Sequence, residues 1–200
     1  MNNQPAQLQL LGIQVGPVQP LQVGDQRVMS GFRKHATRGP VTVGALGLAG
    51  DEQADLTVHG GLAKAVYAYP IEHYAFWREH RSALGLSTDL PYGSLGENLT
   101  LSGVLETWLY VGDQLRFPDC VLRVTQPRGP CYKLNAAMDD PTAVRAMAQS
   151  GYCGFYLAVD VPGSLTAGQG FEVIAGPRET PLMTLFKSIR AKVGLGRARI

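Results

Sequence analysis

The chain has 200 residues, 45% hydrophobic and 17% charged, with a formal net charge of +2. That balance excludes a disordered or coiled-coil chain and carries no electrostatic footprint for stable nucleic-acid binding. Glycine (24) and proline (13) are in excess, which predicts short elements joined by many turns.

Leu8, Leu10, Ile13, Val15 and Val18 read as strand material interrupted by Gly12 and Gly16. Val41 and Val43 alternate with small and polar residues and predict a second strand. Residues 44–61 hold Gly44, Gly47, Gly50, Gly60 and Gly61 around Asp51, Glu52, Asp55 and His59, a structured loop beside a site. Ala65 to Tyr69 predicts a short strand. Pro70 is expected to open the clearest helix, with Ile71, Tyr74, Ala75 and Trp77 inward, Arg78, Glu79 and Arg81 outward, and Gly85 ending it. Pro91 to Gly96 is a turn-rich loop.

Between Glu97 and Gln126 four short strands are expected: Asn98–Leu101, Trp108–Val111, Gln114–Phe117 and Val121–Thr125, with Gly112-Asp113 and Pro118-Asp119 as turns. A loop from Gln126 to Lys133 follows. Pro141 opens a short helix whose Val144, Met147 and Ala148 share a face. Phe155 to Val161 is a strand, Pro162-Gly163 a turn and Phe171 to Ile174 a last strand. Leu182, Leu185, Phe186, Ile189 and Val193 then mark an amphipathic helix. From Arg178 onward six basic residues face a single acid, Glu179. Residues 1–176 read as one domain and 177–200 as a basic tail with that helix. Many short strands and few helices predict a mostly β fold, barrel or sandwich, over a doubly wound α/β fold.

Cys120, Cys131 and Cys153 are odd in number and form no C-x-x-C, which argues against a disulfide framework or zinc knuckle and for a reducing compartment. The start of the chain shows no signal-peptide pattern, and no stretch of about 18 apolar residues exists to span a membrane. The expected location is cytoplasmic. His35, His59, His73 and His80 show no H-E-x-x-H spacing, and no G-x-S-x-G or Walker loop is present.

Three segments carry chemistry. In Gln126-Pro127-Arg128-Gly129-Pro130-Cys131-Tyr132-Lys133, a Pro- and Gly-stiffened loop presents one thiol between two cations, which favour the thiolate as nucleophile or metal ligand. A buried apolar Cys in a rigid turn is the alternative. In Asp51 to Lys64, His59-Gly60-Gly61 followed by Lys64 suits an anion cradle, with a solvated acidic turn as the alternative. In Gly96-Glu97-Asn98-Leu99, Glu97 and Asn98 stand at a strand start; a solvated turn is the default.

Together these segments resemble the MOSC domain family, named from the C-terminal part of molybdenum-cofactor sulfurases, and in particular its stand-alone bacterial YiiM-like group. Gly50-Asp51-Glu52-Gln53-Ala54-Asp55, His59-Gly60-Gly61, Lys64-Ala65-Val66, Gly96-Glu97-Asn98-Leu99, Gln126 to Leu134 and Gly151 to Tyr156 carry the resemblance, over roughly residues 8–175. It implies a MOSC-type β-barrel with a few short helices that binds molybdopterin. By the same resemblance Cys131 is the molybdenum ligand and the one catalytic residue. Chemistry then suggests Arg128 and Lys64 for the phosphate, and His59, Gly60, Gly61, Glu97 and Asn98 for the remaining cofactor contacts.

Some family members reduce N-hydroxylated compounds such as hydroxylamino purines to amines, so the implied activity is a molybdenum-dependent N-hydroxyl reductase. The chain has no room for a pyridoxal-phosphate domain, and three cysteines cannot hold an iron–sulfur cluster. Electrons then come from a separate reductase. Two other readings stay open: a non-enzymatic carrier or store of the cofactor, and a cofactor-free thiol enzyme with Cys131 as nucleophile and His59 as base. The tail helix has three candidate seats: its own domain, a second copy in a homodimer, or an acidic partner or membrane surface.

Overall fold

The strand patterns assemble mainly into one sheet of eight strands. The structure is a computed structural model that describes residues 7–54 and 60–192. Its strands are β1 (Gln9–Val15), β2 (Gln19–Val23), β3 (Gln26–Ser30), β4 (His35–Ala36), β5 (Val41–Gly44), β6 (Gly47–Leu48), β7 (Val66–Pro70), β8 (Leu99–Ser102), β9 (Gln114–Arg116), β10 (Val121–Pro127), β11 (Phe155–Val161), β12 (Gly163–Leu165) and β13 (Glu172–Ile174). The helices are α1 (Tyr74–Ala83), α2 (Lys133–Ala137), α3 (Ala143–Ser150) and α4 (Leu182–Lys192). The large sheet runs β13-β9-β10-β11-β7-β8-β1-β4, with β12-β5-β6 and the β2-β3 hairpin beside it.

All pairs in the large sheet are antiparallel except β7 with β8, where Ala68 faces Leu99. A mostly β fold with a few helices is therefore present. The ring of a barrel is not completed by ladder pairing among the described residues. Between β1 and the stretch ahead of β13 there is an isolated bridge, Gln9 to Gly170.

Two apolar clusters hold the layers together. One lies on a face of the sheet and contains Leu10, Ile13, Val66, Leu99, Leu101, Leu122 and Phe155. The other lies under the helices and contains Tyr69, Tyr74, Trp77, Leu134, Met138 and Met147. Leu182 of α4 belongs to the first and Phe186 to the second. The tail helix thus docks on its own domain, where Ile189 lies over Gly129 and Arg190 Nη1 donates to the Ala148 carbonyl at 3.0 Å. Val193 lies outside the described residues. No helix among the described residues is long and apolar enough to cross a membrane.

Several expectations are corrected. Pro70 ends β7 instead of opening the helix; a 3-10 turn, Ile71–His73, precedes α1. Ala75 is exposed, and Arg81, expected outside, is buried because its guanidinium caps the Met138 and Ser87 carbonyls. No strand forms over 108–111. A 3-10 turn, Glu106–Trp108, stands there, followed by a lone bridge from Tyr110 to Pro181. A buried carboxylate takes up backbone there: Asp113 accepts from the Tyr110 amide at 2.9 Å. Glu106, in the adjoining turn, accepts from the distant Cys153 and Gly154 amides at 3.1 and 2.6 Å. Gly163 begins β12 instead of completing a turn, and α2 was not expected.

The β2-β3 hairpin was also missed. Its signal was Gly24-Asp25 between Leu21-Gln22-Val23 and Gln26-Arg27-Val28, with Gly24 at φ 57 as a tight hairpin turn requires.

Candidate functional site

Cys131 ends the stiff loop after β10 and, at 8% exposure, opens into a cleft. Around it stand Arg128 from the same loop, Tyr67 of β7, Tyr156 of β11 and Lys64 of the 3-10 turn Leu62–Lys64. Lys34, Asp51 and Asn98 line the same cleft.

Arg128 is the unusual group. It is 4% exposed, with its guanidinium carbon 4.8 Å from the Phe32 ring centroid and 4.9 Å from that of Tyr67. Burial works against its charge, but Tyr67, Tyr156 and Cys131 raise its affinity for the proton above the ordinary arginine value. Tyr156 also hydrogen-bonds it. Burial pushes both phenols, Tyr67 and Tyr156, up against the opposing pull of Arg128, so they stay protonated as hydrogen-bonding walls. Among the described residues no carboxylate forms an ion pair with Arg128. Among the described residues, this buried cation is held by ring faces, the Tyr156 phenol and the Met147 thioether, Nη1 to Sδ 4.0 Å.

Lys34, Asp51 and Asn98 are held differently. Lys34 and Asp51 form an ion pair with side chains 6% and 5% exposed. Asp51 also accepts from the Gly16 amide at 3.0 Å and from Asn98 Nδ2 at 2.8 Å. Asn98 itself is spent on the scaffold. Its Oδ1 accepts from the Tyr67 amide at 3.0 Å, and its second Nδ2 bond goes to the Gln14 carbonyl at 3.2 Å. It reaches the cleft, but its evident work is to lock β7 and β1 and to aim Asp51. Asp51 in turn holds Lys34.

Glu97 is not among the cleft-lining residues. Fully buried, it accepts from the Tyr74 hydroxyl, from the Gly93 and Leu95 amides at 2.8 and 3.1 Å, and from Thr100 Oγ1 at 3.2 Å. Burial raises its carboxyl above its ordinary value, and those hydrogen bonds oppose the rise. Its work is to pin the loop 91–96. Gly96 in that loop takes φ +82, and a Cβ there would stand 2.9 Å from the Phe32 ring that supports Arg128.

Gly60 and Gly61 do not line the cleft; the Gly61 amide donates to Gln53 Oε1 at 3.0 Å. His59 and Asp55 lie outside the described residues. Cys120 and Cys153 are buried and do not line the cleft, although the Cys153 carbonyl accepts from the Tyr67 hydroxyl at 2.9 Å; burial pushes the Cys120 thiol up to about 11 and Cys153 well above its ordinary value. Lys34, Tyr67 and Tyr156 were missed in the sequence. Lys34 sits in no motif, and the tyrosines read as ordinary strand residues.

The match of the MOSC domain profile to residues 55–172 decides the family. The chain belongs to the MOSC family. The YflK protein of Bacillus subtilis is 36% identical over 166 residues, 83% of this chain and 73% of that one. YiiM of Escherichia coli is 37% identical over 147 residues, 73% of this chain and 64% of that one, so this MOSC chain spans less than two thirds of YiiM. A protein of Gibberella moniliformis named reductase is 31% identical over 169 residues, 84% of this chain but only 29% of its own length. Among solved structures, YiiM from Geobacillus stearothermophilus superposes with a TM-score of 0.70 at 28% identity, covering 92% of this chain and 83% of that one. The MOSC motifs of the sequence thus meet at one place: Arg128, Cys131, Lys64 and Asn98 all line the same cleft.

Proposed function

We propose that this MOSC protein binds a molybdenum cofactor in the cleft and serves the reduction of N-hydroxylated compounds to amines. The observation that carries the reading is the buried Arg128, with no carboxylate ion pair among the described residues, beside the Cys131 thiol. The cofactor presents an anionic phosphate and a soft metal, and the cleft offers a guanidinium and a thiol, so the donor set fits. Arg128 would hold the phosphate, with Lys64 beside it, and Cys131 would be the protein's ligand to the metal. When bound, the group supplies two-electron chemistry at an N–O bond.

The rest of the work belongs to the chain. Tyr67 and Tyr156 bracket Arg128 and keep its charge out of water. Asp51, aimed by Asn98 and Gly16, fixes the Lys34 ammonium at the wall. Overall, R–NHOH takes two electrons and two protons and yields R–NH2 and water. The electrons come from a separate reductase, in the cytoplasm. The reductase name of the Gibberella relative supports a reductive role.

The test is turnover. Protein from a molybdate-fed host, given a chemical electron donor and a hydroxylamino purine, should produce the amine at a rate that Cys131→Ala abolishes. Loaded protein with no turnover on any N-hydroxylated substrate would leave a carrier of the cofactor.

A further inference from the structure

A second cleft adjoins the first and shares Phe32 and Lys34 with it. Arg33, Ala137 and the loop 91–94 also line it. The conspicuous member is Tyr92, an aromatic left 38% exposed on a loop that is not free to move. The Glu97 carboxylate holds the Gly93 and Leu95 amides at 2.8 and 3.1 Å. Ser94 Oγ donates to the Pro91 carbonyl at 2.5 Å, and the Gly96 amide to the Gly93 carbonyl at 2.9 Å.

The ring of Tyr92 is fixed as well. Tyr74 meets it edge-on, centroids 6.0 Å apart at 82°. Its Cδ2 lies so near the backbone of Gly12 that a Cβ there would stand 2.8 Å away. An exposed ring held this firmly loses little freedom when another ring stacks on it, and aromatic stacking of this kind accepts any planar base. Lys34 stands where the two clefts meet. An ammonium has three N–H donors, and Asp51 takes one, so it can also donate to a polar group passing from one cleft to the other.

We propose that this second cleft docks a planar, ring-bearing N-hydroxylated substrate, its ring laid on Tyr92 and its N-hydroxyl end directed past Lys34 into the first cleft. The proposal rests on the cofactor reading of the first cleft for its direction, but the ring contact does not require the cofactor to be present.

The test uses adenine, the amine that reduction of a hydroxylamino purine yields, as the probe in calorimetric titration of the purified full chain. Tyr92→Phe keeps the ring and should bind like wild type. Tyr92→Ala should bind roughly tenfold or more weakly, the loss usual for removal of one stacking partner. Tyr92→Leu keeps apolar bulk against Gly12 and Tyr74 without a ring, and decides the matter if the alanine variant unfolds. No saturable binding to wild type, or equal binding by the leucine and wild-type proteins, overturns the proposal.

In loaded enzyme the same leucine variant should raise KM for the hydroxylamino purine and leave molybdenum content and kcat unchanged. Loss of molybdenum from wild type itself would defeat the cofactor reading alone; the adenine titration would still decide the docking of rings.

Discussion

Replacing Arg128 by methionine separates an anion receptor from a structural arginine. The guanidinium is 4% exposed, so removing its charge relieves a desolvation cost of several kcal/mol. Against that stand two ring contacts, at 4.8 and 4.9 Å, each worth about 2 kcal/mol when desolvated. The Tyr156 hydrogen bond to a charged group adds about 1.5–3 kcal/mol. The terms nearly cancel, and methionine refills most of the space. Arg128→Met should therefore unfold within about 2 kcal/mol of wild type, a shift of roughly 4–8 °C or less for a chain of this size.

Ligand binding should respond otherwise. Losing a charge-assisted bond of about 1.5–3 kcal/mol weakens an anion by roughly 10- to 150-fold. The assay is thermal unfolding with and without inorganic phosphate. At about 100 times its dissociation constant a ligand stabilises by about 2.7 kcal/mol. Wild type should gain stability with phosphate and the variant should not. A variant more than about 3 kcal/mol less stable than wild type, without a carboxylate partner lost, would show that the cancellation argument is wrong. An equal phosphate effect in both proteins would remove Arg128 as the receptor.

Other consequences follow from the same geometry. Asp51→Asn strands the Lys34 ammonium at 6% exposure and should cost about 3–5 kcal/mol in denaturant unfolding, while the Lys34→Met, Asp51→Asn double variant recovers most of it; additive losses would contradict the pairing. Gly96→Ala forces a Cβ into φ +82 against Phe32 and should cost at least about 1–3 kcal/mol, with weaker cofactor retention because Phe32 supports Arg128.

In native protein at pH 8, iodoacetamide should label Cys131, which lines the cleft, and spare Cys120. The Cys120 thiol is raised to about 11 by burial, so it stays protonated at pH 8 and its thiolate becomes abundant only as pH passes that value. Mass spectrometry showing Cys120 labelled first would refute this.

Local signals were the legible ones. The β-branched run Val121 to Thr125 became part of β10, and the Pro- and Gly-bound thiol with its arginine sits in the cleft because both belong to one short loop. What escaped was long-range. Asn98 looked like a ligand contact, but its partners Gln14, Asp51 and Tyr67 lie 31 to 84 residues away. Lys34 became a site residue only through Asp51, 17 positions on. Asp113 capped the Tyr110 amide that a strand would have paired, and nothing in Trp108–Val111 announces that competition. The β2-β3 hairpin hid behind Pro20 and glutamines that dilute its alternation.

The most direct measurement is molybdenum and pterin content of protein from a molybdate-fed host, wild type against Cys131→Ser. The account predicts near-stoichiometric metal and pterin in wild type, with the metal lost in the serine variant. Equal molybdenum in both would contradict Cys131 as the ligand, and its absence from both, with pterin synthesis in the host verified, would contradict the cofactor reading itself.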